Sequence, residues 1–567
     1  VQTFNIKIMK KYIKGCFIVA FVAMGLSACK KDYLDKVPLS GPSDQTFFAN
    51  QDELLLAVNG IYSAMAFHPT DDMPFLMTID AATDIGWDRN TSGLQSLGKG
   101  NQDSNNDYAR SYWTNFYRLI GRCNFILDNA EKAKSSTSPE IYARSIAEAR
   151  FARAFAYHNL IELFGGVPLV TKTLGLNDGQ LPRNTKEEVL AFILSELDAA
   201  AADLPVSYGA SDFGRATKGA AFAIKARAAL YGGDWDVAAD AAQQVINSNA
   251  YSLHSNFAEL FSYNGRNSKE IILSLQYLRT ANKTHAVTRN LLSRNGQGTS
   301  NKVPCQSLVD AYECVDGMPI NESPLYNPAR PYENRDPRLS YTVALPGSNF
   351  FNFQFETHKD SLRCFNYNST PPARIDNQDA TNAFATFTGY CWRKYVDLVD
   401  KADVARSELN IILIRYAEVQ LIYAEAKIEK GELDQSVYDA INSIRQRAGV
   451  NMPSIPTGLS QAELRSIVRK ERLYELAMEG HRLFDIRRWK IAEQVMNGPF
   501  YGRVPRGLLV SAPVVDANGI AHYDNVPNRA ELRVVETRQF NASRDYLWPI
   551  PNIEIVTDPN ITQNPGY

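Results

Sequence analysis

Between Thr83 and Asn106 the chain reads TDIGWDRNTSGLQSLGKGNQDSNN, a polar, glycine-rich stretch with a single tryptophan. Asp84, Trp87, Arg89 and Asn101 fall within eighteen residues of it. That combination suits a sugar. A pyranose offers a flat C–H face that stacks on Trp, Tyr or Phe, and its hydroxyls need forked groups such as Arg, Asp and Asn. Bond-breaking chemistry has no comparable support. The chain holds no G-x-S-x-G, H-E-x-x-H, G-x-x-x-x-G-K-[ST] or G-x-G-x-x-G, and its seven histidines are scattered without close acid or cysteine partners at motif spacing. A glycosidase needs two carboxylates a few ångströms apart, and 62 acids supply chance pairs without selecting one. Asp103-x-Asn105-x-Asp107 copies the start of a calcium loop, but Tyr108 stands where glycine is required and Thr114 where glutamate belongs. No catalytic residue, metal or cofactor is therefore assigned.

Residues of this kind need a rigid frame, and a stretch that occurs twice supplies one. Lys225–Asn247 reads KARAALYGGDWDVAADAAQQVIN, and Tyr423–Arg445 reads YAEAKIEKGELDQSVYDAINSIR. Aligned on Gly233 and Gly431, both carry a ladder of alanines, then an acid, a large apolar residue and an aspartate, then Ala242 or Ala440 and Ile246 or Ile444. The pattern predicts helix, glycine-centred turn, helix. Alanines three or four apart let two axes approach closely, and the glycine ends the first helix in a left-handed conformation. The spacing resembles the tetratricopeptide helix pair, a unit that stacks into arrays.

Apolar periodicity adds helices at Phe47–Phe67, Tyr108–Lys134, Pro139–Phe164 and Lys186–Ala202, with Trp113 expected in the core. Further on it predicts helix from Glu408 to Lys430, from Leu433 to Ala448, and unbroken from Gln461 to Trp489. The alternating charges of that last segment suggest exposed pairs three or four residues apart, such as Arg472 with Glu475. Between Tyr251 and about Arg406 the periodicity fails. Tyr326–Tyr395 holds fourteen aromatic residues in seventy, irregular and punctuated by proline. Most of those rings are expected in a second core and about one in four at solvent. Tyr326, Phe350 and Trp392 are the candidates for ligand contact there.

At 567 residues the chain exceeds one ordinary core. Its 60 basic and 62 acidic residues leave no basic excess to neutralise phosphates, so nucleic acid is not an expected partner. The first residues carry an address. Lys7, Lys10, Lys11 and Lys14 precede a short apolar run, Gly15–Leu26, with the length of a signal-peptide core. It ends Leu26-Ser27-Ala28-Cys29, which resembles the bacterial lipobox, where cleavage precedes a cysteine that then carries lipid. Cys29 is the expected lipidation site, followed by a polar tether. Five cysteines remain, an odd number, of which Cys305 and Cys314 could pair or stay free.

Leu26–Cys29, Ala149–Val170 (ARFARAFAYHNLIELFGGVPLV), Gly214–Tyr251, Asp336–Leu339 (DPRL), Arg415–Ala426 (RYAEVQLIYAEA), Arg469–Trp489 and Trp548–Tyr567 together resemble the SusD/RagB family of surface glycan-binding lipoproteins. The matches run across nearly the whole mature chain in family order. The resemblance implies a mainly α fold, with four tetratricopeptide-like helix pairs carrying a loop-rich, aromatic second lobe. It implies an oligosaccharide ligand, a membrane held through the lipid anchor, and a SusC-like TonB-dependent outer-membrane transporter as partner. It places ligand contacts in the 83–106 loop and the irregular middle region. The expected organisation is a signal at 1–28, a lipidated tether at 29–45, an N-terminal helical domain at 46–250 and a RagB/SusD domain at 251–567. Within that last domain an irregular lobe covers about 251–406, and helices and tail cover 407–567. The competing readings are a protein-binding helical scaffold and a peptide-binding member of the same family.

Overall fold

The computed structural model describes residues 47–175 and 178–567. The signal segment, Cys29 and the tether lie outside the described residues. Among the described residues the nine longest helices are α1 (Gln51–Met65), α2 (Asp107–Asn129), α3 (Pro139–Phe164), α4 (Lys186–Asp203), α5 (Lys218–Gly232), α6 (Trp235–Asn247), α7 (Tyr416–Lys430), α8 (Gln435–Arg445) and α9 (Gln461–Leu476). The strands among the described residues are short, and the largest sheet they form is a four-stranded antiparallel meander between Asn349 and Asp376. The fold is mainly α.

Helix ends follow local chemistry. Ser138 caps α3 ahead of Pro139, and Gly165, at φ +74°, stops it. Thr185 with Glu188 and Ser460 with Glu463 form reciprocal capping boxes on α4 and α9. Both copies of the repeat are helix–turn–helix. Gly233 and Gly431 sit at φ +81° and +78°, and Asp234 and Asp434 cap the helices that follow. Ala226, Ala228, Ala424 and Ala426 are fully buried, and Arg227 of α5 reaches Glu418 of α7 at 2.7 and 2.6 Å. The two copies therefore pack on each other. A Cβ at Gly431 would meet nothing within 4 Å, so its constraint is the backbone angle alone. Gly431→Ala is expected to cost ~1–2 kcal/mol, read as a lower urea midpoint.

Two expected helices differ in the structure. From Glu408 the chain is extended, and Ile411–Arg415 is a strand antiparallel to Ile271–Leu275. A buried β-branched run has no polar face to reveal its period. The segment Gln461–Trp489 is broken after Leu476. Met478 and Gly480 adopt φ +68° and +80° before a short helix resumes at Arg482–Arg488. Its charges from Glu471 to Arg487 are buried rather than exposed. Arg472 pairs with Asp485, and Glu475 with Arg415, Arg447 and Arg338. The DPRL segment joins the same network, Arg338 binding Asp336 at 2.7 Å and also Glu471. These ions cross the seam between the irregular middle lobe and the C-terminal helices.

One apolar core runs from Phe48 to Ile561, with Trp113 inside it. All five cysteines of the described residues are buried and free, so Cys305 and Cys314 are unpaired.

Candidate functional site

The 83–106 stretch is less irregular than its composition suggests. Gly86–Asp88 is a strand paired antiparallel to Lys302–Pro304, with Trp87 opposite Val303. Ser92 caps a helix at Gly93–Lys99. Gly86 is required for the close approach, since a Cβ there would lie 2.6 Å from the Asp80 carbonyl oxygen. Beneath the strand the buried Lys302 ammonium bonds Asp88 at 3.0 Å and also pairs with Asp71, whose carboxylate accepts from Asn90 Nδ2. That triad pins the backbone just before Arg89.

Arg89 reaches across to a second segment, Asn382–Gly389. Its Nη1 donates to the carbonyls of Thr299 (2.7 Å) and Phe384 (2.6 Å), and its Nη2 to Asn301 Oδ1 (2.5 Å). Arg294 Nε donates to the same Phe384 carbonyl at 2.9 Å. The Phe384 N–H donates to Asn382 Oδ1 at 2.8 Å. The backbone of Phe384 is thus held from both sides while its ring is 61% exposed. The Arg89 guanidinium lies 5.6 Å from that ring's centroid. Three residues on, the half-buried Phe387 ring packs between Trp87 (5.4 Å) and the Arg533 guanidinium (4.5 Å). The result is a fixed aromatic step beside forked donors, which can take the C–H face of a sugar ring and bind substituents at its edge.

The electrostatics of this strip are cationic. Burial and then the like charge of Arg294 lower the pKa of Arg89. Burial lowers Arg294 and Arg533 as well, and Lys359, close to Arg533 and Arg506, is lowered by burial and by both of those charges.

Of the sequence-predicted contacts, Arg89 is at this strip in a supporting position. Trp87 is corrected to core. It is 5% exposed, its indole N–H donates to Glu536 at 3.2 Å, and no face is open to a sugar. Strand pairing turned it inward. Asp84 is held bidentate by Arg482 at 2.9 and 2.7 Å, away from Phe384. Asn101 is exposed but shares no contact with the others. Phe350 and Trp392 are corrected to core at 2% and 1% exposure, Phe350 beneath Arg393 and Trp392 on a strand opposite Val343. Tyr326 is half-buried under Arg335 beside a small apolar cluster. Three of the fourteen rings between Tyr326 and Tyr395 are exposed: Phe365, Tyr367 and Phe384. Sequence reasoning missed Phe384, Phe387, Arg294, Arg533 and Lys359. The available signal was the run Asn382-Ala383-Phe384-Ala385-Thr386-Phe387, two rings set among residues too small to cover them.

Two family models match the chain: the SusD family over residues 269–567 and "Starch-binding associating with outer membrane" over 32–230. SusD-like protein P2 of Formosa agariphila is 28% identical over 588 residues, covering 99% of this chain and all of that protein. Starch-binding protein SusD of Bacteroides thetaiotaomicron is 30% identical over 299 residues, 47% of this chain and 52% of that protein. A SusD-like carbohydrate binding protein of Bacteroides fragilis superposes with a TM-score of 0.79 at 30% identity, over 91% of this chain and all of that structure. With a family model matched across more than half its length, the chain belongs to the SusD family.

Proposed function

We propose that this protein is a non-catalytic surface receptor that binds oligosaccharide at the Phe384 strip and delivers it to a SusC-like TonB-dependent outer-membrane transporter. A lipid on Cys29 holds it at the outer membrane, while no helix among the described residues is long and apolar enough to cross one. Family membership supports the ligand class: one relative is named a starch-binding protein and a solved relative a carbohydrate binding protein. The observation that carries the site is Phe384, an exposed ring on a backbone already ordered by Asn382, Arg89 and Arg294. Stacking there costs little further ordering.

Calorimetric titration with neutral and acidic oligosaccharides tests the site. Phe384→Ala is expected to weaken binding about tenfold, the fraction of a phenylalanine burial that one stacked face provides, with no change in thermal midpoint. Unaltered affinity in that variant removes Phe384 from the site. Release of reducing ends by the wild type contradicts the non-catalytic reading. Loss of palmitate incorporation in Cys29→Ser, and co-purification of a transporter with the wild type, check the anchor and the partner.

A further inference from the structure

The segment Ala380–Phe387 gathers four cations. Lys359 Nζ donates to the Ala380 carbonyl at 2.9 Å, Arg89 and Arg294 meet at the Phe384 carbonyl, and Arg533 covers Phe387. All four side chains are half-buried. Among the described residues none of them is in an ion pair. The nearby acids are engaged elsewhere: Asp71 and Asp88 with Lys302, Glu536 with Arg538, and Asp360 with Arg506. Asp379 turns its carboxylate to the Arg294 backbone N–H at 2.6 Å and to Asn295. Overall composition does not account for this, because the whole chain carries a net charge of −2.

Asp379 acts on Arg294, and Asp88 and Asp71 on Arg89, but no carboxylate offsets the burial of Arg533 and Lys359. Partly desolvated cations of that kind are unfavourable until an anion arrives. Their hydrogen-bonding capacity is also left open. Arg533 has no hydrogen-bond acceptor for its guanidinium among the described residues, and Lys359 spends one of three donors. A neutral sugar hydroxyl both donates and accepts, and is served by mixed carboxylates and amides. A surface offering cationic donors, with the nearby carboxylates among the described residues already engaged, matches a group that only accepts. Guanidinium forks fit the paired oxygens of a carboxylate or a sulfate ester, at roughly twice the strength of a neutral hydrogen bond.

We infer that the Phe384 strip selects an acidic glycan, its sugar ring on Phe384 and its carboxylate or sulfate ester on Arg533, Lys359 and Arg294. This rests on the glycan-binding reading above and names the substrate class of that same site. The purified protein is titrated with oligogalacturonate, carrageenan oligosaccharides and neutral laminarin oligosaccharides, at 50 and 300 mM salt. At least one acidic set binds tenfold or more tighter than the neutral one, and only its affinity falls with salt. Preference for oligogalacturonate assigns a carboxylate, and preference for carrageenan a sulfate ester. In Arg533→Gln/Lys359→Gln the ratio of acidic to neutral affinity drops at least tenfold with the thermal midpoint retained. Arg533→Met, which keeps a stem on Phe387, lowers that ratio in the same direction. Neutral laminarin bound as well as or better than both acids, and lost in Phe384→Ala, overturns the acidic preference while the glycan site stands. Failure of all three glycans to bind overturns both.

Discussion

Glu475→Ala is expected to destabilise the protein by about 3–5 kcal/mol, the cost of breaking a buried ion network from one side. Glu475 bonds Arg415 at 2.7 Å, Arg447 at 2.9 Å and Arg338 at 3.1 Å, and none of the four side chains is more than 1% exposed. Arg415 retains Glu270 and Glu479, and Arg338 retains Asp336 and Glu471. Arg447 keeps only a 3.3 Å contact to Glu270, with its Nε and Nη1 buried and already without partners. The loss therefore falls mainly on Arg447, whose one remaining carboxylate, Glu270, is shared with Arg415. A total stability of ~5–15 kcal/mol makes that a large fraction. Burial by itself would raise the Glu475 pKa, but Arg447, Arg415 and Arg338 overcome it and hold the carboxyl far below the usual carboxylate range. The sign follows. A depressed folded-state pKa contributes stability that is fully present above the unfolded value near 4.3 and disappears as pH falls below it. The gap between wild type and Glu475→Ala in urea midpoint should be widest above pH 5 and shrink below pH 4. Equal midpoints at pH 7 would mean that the network does not hold the two lobes together.

The second large effect has the opposite sign. Asp80 is buried, its Oδ2 accepting from the Gly480 N–H at 3.1 Å and its Oδ1 without a partner. Burial raises its pKa to about 7, opposed chiefly by the Gly480 N–H, and Glu479 adds to the rise. A carboxylate raised in the folded state costs nothing below pH 4. Its penalty grows as pH climbs from 4 to 7 and is complete above that, at about 4 kcal/mol for a rise of this size. Asp80→Asn removes the charge and keeps an oxygen for the Gly480 N–H. We expect a thermal midpoint above wild type at pH 8, corresponding to about 2–4 kcal/mol, with little difference at pH 4. A difference that does not change with pH would show that Asp80 carries no penalty. The residue sits where α9 gives way to Met478 and Gly480, so the same turn carries one ionic gain and one ionic cost.

Much of the frame was legible because it is local. Glycine followed by aspartate at 233–234, and the alanine ladders before and after, specify a tight helix pair whatever surrounds it. Serine or threonine three residues before glutamate likewise marks the starts of α4 and α9. Charge in Arg469–Trp489 was misread for a physical reason. Alternating signs look the same on a solvated face and in a buried network, and only the partners Arg338, Arg415 and Arg447, from distant parts of the chain, separate the two. The site suffered a similar inversion. A lone tryptophan in a polar loop reads as exposed, yet pairing of Gly86–Asp88 with Lys302–Pro304 turned Trp87 inward against Phe387.

By itself the sequence determined the helix pairs, their glycine turns, the aromatic middle region and the family, because these depend on neighbours a few residues apart or on motifs read in order. Which ring faces solvent was decided by tertiary structure alone. Phe384 is open because Arg89 and Arg294, 295 and 90 residues away, hold its backbone while only small residues flank it. Exposure of a side chain is a property of what packs around it, and that packing is assembled from contacts too far apart in the chain for any local pattern to record.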